Sequence, residues 1–95
     1  MTNINDSVWV FHGAKGRFAG AVFSRLTDAE AWIGKHGLTG VLTAYPLNVG
    51  VYDWSVEKGF FAPKKPDHSK AEFIGSFSSG SQEHYHYEGG VRQGG

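Results

Sequence analysis

The residues whose types and spacing best suit chemistry lie near the C-terminal end, in Glu83-His84-Tyr85-His86-Tyr87-Glu88. On a strand, side chains alternate between faces, so His84, His86 and Glu88 fall on one side and Glu83, Tyr85 and Tyr87 on the other. Two imidazoles and a carboxylate are ligand types for zinc or another divalent ion, but a closed site needs ligands from other elements as well. His12 or His36 would have to supply one. The same alternation fits a plain exposed strand whose tyrosines pack inward, so the face that is buried decides between a metal site and a solvated surface.

Three further arrangements bear on chemistry. Gly13-Ala14-Lys15-Gly16-Arg17-Phe18-Ala19-Gly20 sets Lys15 and Arg17 in a glycine-rich turn, and glycine lets backbone N–H groups close on an anion. It has neither the Walker A spacing nor Gly-X-Gly-X-X-Gly, so a hairpin turn with solvated cations is the simpler account. Asp53 and Glu57 stand four residues apart, a spacing that aligns two carboxylates on a helix, where like charges are ordinarily just solvated. There is no cysteine and no Gly-X-Ser-X-Gly elbow, so no nucleophile is assigned and no catalytic residue is named.

The elements that must position these groups follow from periodicity and punctuation. Val8-Trp9-Val10-Phe11-His12 predicts a strand buried on both faces, and Phe18–Phe23 predicts its hairpin partner, with Gly20 weakening it or marking a bulge. Thr27-Asp28-Ala29-Glu30 has capping-box spacing, and Ala29, Trp32, Ile33 and His36 form one face of a helix over 28–36 that Gly37 ends. A strand follows to about Tyr45, where Pro46 cannot donate to a ladder, making a β-α-β unit with a parallel crossover. Asn48 is a candidate N-cap for a short second helix carrying Val49, Tyr52 and Val56, although residues 49–58 also alternate well enough for a strand. Ser69-Lys70-Ala71-Glu72 repeats the capping-box spacing before Phe73, Ile74 and Phe77, and residues 82–88 form the last strand. The expectation is an α+β fold of order ββαβααβ, with a three- to four-stranded mixed sheet and helices mainly on one face. Residues 8–88 make one domain; residues 1–7 and the Gly-rich tail 89–95 are flexible unless docked.

Composition narrows function by exclusion. The 95 residues carry nine Lys and Arg against nine Asp and Glu, so no net charge draws the chain to nucleic acid or an anionic membrane. Lys64-Lys65 is too short for a basic patch. No leader-like N-terminus or long apolar span is present, which points to the cytoplasm. Aromatics are abundant at 15% of residues, and Tyr52, Trp54, Phe60 and Phe61 are more rings than so small a chain needs in one stretch. Surplus exposed rings mark partner surfaces, because they bury large areas at low entropy cost.

The segments Trp9–Gly13, Gly20–Ser24 with Ala29–Ile33, Leu38–Leu47 and Phe77–Glu88 together resemble a family of small bacterial proteins catalogued as a domain of unknown function. The resemblance covers nearly the whole domain, is most specific at Gln82–Glu88, and implies a bacterial source without attaching an activity or a cofactor. The hairpin, crossover helix and strand ending Tyr45-Pro46-Leu47 also look loosely like small immunity-type proteins, a likeness of fold alone. The expected function is a non-enzymatic protein-interaction module, binding a protein partner or itself through Tyr52, Trp54, Phe60 and Phe61. The alternative is a metal- or small-ligand-binding enzyme centred on His84 and His86.

Overall fold

The structure, a computed structural model, describes residues 6–94. The expected flexible N-terminus therefore lies mostly outside the described residues, apart from Asp6 and Ser7. The fold is α+β. Its residues group into two compact units, one of residues 7–45 and 83 onward, the other of residues 46–82 with Asp6.

The first unit is built on a sheet of β1 (Ser7–Gly13), β2 (Ala21–Phe23), β3 (Gly40–Pro46), β4 (His84–Glu88) and β5 (Val91–Arg92), in the order β2-β1-β3-β4-β5. Neighbouring strands run antiparallel throughout, so the sheet is not the mixed sheet of three or four strands expected above. The start of β3 meets the end of β1, where the Ala14 N–H donates to the Thr39 carbonyl at 3.0 Å. Because β2 and β3 both oppose β1, they run parallel to each other, and helix α1 (Leu26–His36) joins them. The expected β-α-β crossover is thus present with β1 lying between its two strands.

Burial follows the strand period. Trp9 and Phe11 of β1 are buried while Val8 and Val10 are half-buried and His12 is exposed, so β1 is fully covered on one face only. Ala29 and Ile33 of α1 pack with Trp9, Phe11, Leu42 and Tyr87, and Phe23, Trp32, Leu38 and Tyr85 close the rim. Full burial of side chains such as Ile33 and Leu42 stabilises by about 2 kcal/mol each. β2 is shorter than expected: Phe18 lies outside it and is 81% exposed. The Gly20 N–H donates to the Phe11 carbonyl at 2.8 Å although Ala21 is registered opposite Phe11, the two-against-one arrangement of a bulge.

Helix ends differ instructively from their sequence signals. Gly37 closes α1 in the left-handed region at φ 62°, with the Leu38 N–H returning to the Ile33 carbonyl at 3.0 Å, as its position predicts. The N-cap is Arg25, however, and neither Thr27 nor Glu30 forms a capping box, because the helix begins two residues early and Glu30 is bonded elsewhere. Arg25 Nε instead pairs with Asp28 across 2.9 Å at the surface.

The second unit holds α2 (Val51–Glu57), a 3₁₀ turn (Pro66–Ser69) and α3 (Ala71–Gly75). Residues 51–57 are helix rather than strand. Asn48 is not the N-cap; Gly50 is, while Asn48 takes φ 65° in the preceding turn, a conformation Asn tolerates. Ser69 likewise ends the 3₁₀ turn instead of capping α3, whose N-cap is Lys70. The rings of Tyr52, Phe61, His68, Phe73 and Phe77 cluster with centroid separations of 4.8–6.2 Å. The C-terminal glycine segment is docked: Gly89 and Gly90, both at positive φ, turn the chain so that Val91 and Arg92 pair with Glu88 and Tyr87.

Candidate functional site

Strand β4 settles which face of the histidine segment is buried. Tyr87 is 4% exposed and Tyr85 half-buried, while His84, His86 and Glu88 are exposed. Register places Thr43 opposite His84, Val41 opposite His86 and Val91 opposite Glu88, so these share the outer face. The two imidazoles stand near each other, with ring centroids 5.5 Å apart and planes at 79°. Among the described residues no group of three or more His, Cys, Asp or Glu converges to hold a metal ion, so Glu88, His12 and His36 do not join the pair. His36 packs its ring against Trp32, 5.8 Å away between centroids. His84 and His86 border a cavity of about 360 Å³ that Tyr85, Arg92, Gln93 and Gly94 also line.

On the other face of β4 lies a polar network that sequence reasoning missed. Glu30 Oε2 accepts from the Tyr87 hydroxyl at 2.5 Å and from Arg92 Nη2 and Nε at 2.5 and 2.8 Å. The hydrogen bond from Tyr87 draws the Glu30 carboxyl below its ordinary range; burial opposes this and Arg92 reinforces it. Burial, followed by the bond to Glu30, pushes the Tyr87 phenol up to about 12. The Arg92 guanidinium also lies 3.9 Å from the centre of the Tyr85 ring, and the Tyr85 hydroxyl donates to Glu83, which raises that phenol too. The only sequence signal was an acidic residue on a helix and an arginine in a glycine-rich tail, neither pointing at the other.

The four aromatic candidates divide in pairs. Tyr52 and Phe61 turn into the ring cluster of their unit, 5.9 Å apart and each near Phe77. Trp54 is half-buried and Phe60 is 53% exposed, their rings 5.4 Å apart, and Val56 on the same helix as Trp54 is 38% exposed. The remaining candidates are less organised. Lys15 and Arg17 are exposed in the first hairpin turn, where the Gly16 N–H is committed to the Gly13 carbonyl at 3.0 Å and the Ala14 N–H to Thr39. Asp53 and Glu57 are exposed on α2.

Residues 8–93 match a family described as a domain of unknown function (DUF7710), which extends past Glu88 to include β5. No curated protein and no solved structure matches the chain. Among the described residues no helix is long and apolar enough to cross a membrane.

Proposed function

The chain belongs to the DUF7710 family, and we propose that it is a non-enzymatic protein-interaction module of the bacterial cytoplasm whose contact surface centres on Trp54 and Phe60. The observation that carries this reading is the exposed Phe60 ring held against Trp54. Large rings that are both exposed and held in place by neighbours bury area on binding with little further loss of side-chain freedom, the property of interface hot spots. Tyr52 and Phe61 take a supporting part: packed among Phe73 and Phe77, they fix the short helix and the turn that present the contact pair. The same surface would serve an immunity-type or a regulatory protein, whose partner would offer an apolar pocket rather than a charged one.

The test is affinity for the partner recovered with the wild-type chain, or for a second copy if the mass rises with concentration. Phe60→Ala or Trp54→Ala should weaken binding by about 2 kcal/mol or more, roughly 30-fold, with melting behaviour retained. Phe18→Ser, which removes an even more exposed ring from the first hairpin turn, should leave affinity unchanged. Equal affinity in the folded Phe60 and Trp54 variants would overturn the assignment.

A further inference from the structure

The paired imidazoles of β4 are not used by the aromatic surface, and their surroundings argue for a site of their own. His84 and His86 project from one face of a strand that is held on both sides: Val41 and Thr43 of β3 pair with it, and the Gln93 N–H donates to the His86 carbonyl at 2.8 Å. Its opposite face is pinned through Tyr87 to Glu30 and Arg92. The backbone beneath the two rings is therefore held by its neighbours, part of the preorganisation a ligand site needs.

The spacing fits a shared ion. A nitrogen ligand sits about 2.0–2.1 Å from zinc, so an imidazole centre lies roughly 3 Å from the metal and two rings at a near-tetrahedral angle have centres roughly 5 Å apart. The observed centroid separation of 5.5 Å is close to that value. Imidazole selects zinc, copper or nickel over magnesium and calcium, which take oxygen ligands. The two histidines border a cavity of about 360 Å³. Arg92 lines that cavity, but its charge is already matched by Glu30, and Glu88 adds a negative charge on the outer face.

We propose that His84 and His86 form a two-imidazole chelate for a divalent cation of the zinc and copper class, with the other positions open. This stands independently of the aromatic surface. Its test is titration with Zn²⁺ alone, followed by calorimetry and by ¹⁵N spectra of the histidine rings, on tag-free protein. We expect one ion per chain, selective and saturable shifts at His84 and His86, and none at His12, His36 or His68. His84→Gln or His86→Gln should each weaken binding at least about tenfold, because half the protein ligands are lost. Absence of saturable binding below roughly 1 mM overturns the proposal, as does wild-type affinity in the doubly substituted chain. The ring spectra of the wild type decide the question even if a variant is poorly folded.

Discussion

The Tyr87 hydroxyl donates to the Glu30 carboxylate at 2.5 Å, joining β4 to α1 across 57 positions of sequence. Arg92 brings two further donors to the same oxygen from β5, so one side chain of the helix gathers the last two strands of the sheet. Tyr87 is nearly inaccessible and its hydroxyl needs a partner, whereas Glu30 and Arg92 are each about a third or more exposed and their mutual attraction is screened. The bond from Tyr87 should therefore dominate the energetics, with Arg92 contributing less than its short distances suggest.

Tyr87→Phe should cost about 1 kcal/mol, the loss of one hydrogen bond to a charged group that keeps its other partner. Glu30→Ala should cost about 2 kcal/mol, because it removes the acceptor of the nearly buried Tyr87 hydroxyl together with the counter-charge of Arg92. Arg92→Ala should cost less than either, because solvent screens its charge. Urea denaturation of the three variants and the Glu30/Tyr87 double variant checks both the order and the coupling. A larger loss from Arg92→Ala than from Glu30→Ala would reverse this account.

The network also predicts a pH signature with two edges. Glu30 is held below 4.5, so the unfolded chain takes up its proton first on acidification; the contribution is complete above the ordinary value and is lost as pH falls through the depressed one. Tyr87 is raised from 10.0 to about 12, so the unfolded phenol ionises first, and stability falls as pH climbs through that interval. The difference in stability between wild type and Tyr87→Phe should be flat near neutrality and shrink at both extremes. A difference that grew at acid pH would contradict the assignment.

Gly40 is the glycine least able to change. A Cβ there would stand 2.2 Å from the His12 carbonyl oxygen and 2.7 Å from the Phe11 ring, so β1 and β3 would have to separate. Gly40→Ala should cost about 3 kcal/mol, at the upper end for overpacking. Gly75→Ala is its counterpart: nothing lies within 4 Å of the added carbon at the last residue of α3, and the change should be neutral or stabilise by about 0.5 kcal/mol. Thermal melts of the two variants make a direct comparison.

Legibility in the sequence tracked how local each cause was. Ala29, Ile33 and Gly37 declared helix α1 because the apolar period and the left-handed terminus are properties of adjacent residues. The alternation of residues 84–88 was equally plain, and so was the closeness of His84 to His86. Which face would be buried depended on Leu42 and Gly40 lying opposite Tyr85 and Tyr87, a matter of register. The Thr27 and Glu30 spacing misled because it cannot report that Glu30 has partners far along the chain. β5 was invisible for a related reason: two residues have no periodicity, and Arg92 acquires meaning only once it stands opposite Tyr87. The aromatic stretch 52–61 is plainly rich in rings, but the division between packed Tyr52 and Phe61 and exposed Phe60 depends on Phe73 and Phe77.

Ser55 offers a stabilising substitution. It is fully buried on α2, and its hydroxyl has no hydrogen-bond partner among the described residues, although its backbone carbonyl accepts from the N–H groups of Phe60 and Phe61 at 2.8 and 3.2 Å. Ser55→Ala keeps the backbone bonds, removes a stranded polar group and improves helix propensity, so stability should rise by about 1 kcal/mol. A loss of that size in thermal unfolding would instead indicate a bonded water on the hydroxyl.

His68 should prove to be the latch of the loop that follows the contact surface. Its Nδ1 accepts from the backbone N–H groups of Lys64 and Lys65 at 3.1 and 3.4 Å, while its ring stacks on Phe73 at 4.8 Å and 26°. Accepting at Nδ1 fixes the neutral ring in the tautomer with its proton on Nε2. The two functions separate by substitution. His68→Phe keeps the stacking and removes the acceptor, which should cost about 1 kcal/mol. His68→Ala removes both and should cost about 2 kcal/mol, the extra loss being the ring contact. Amide exchange at Lys64 and Lys65 should accelerate in both variants, whereas exchange in β4 should not change. If His68→Phe left the two amides as protected as in the wild type, the bonds to Nδ1 would not be what holds the loop.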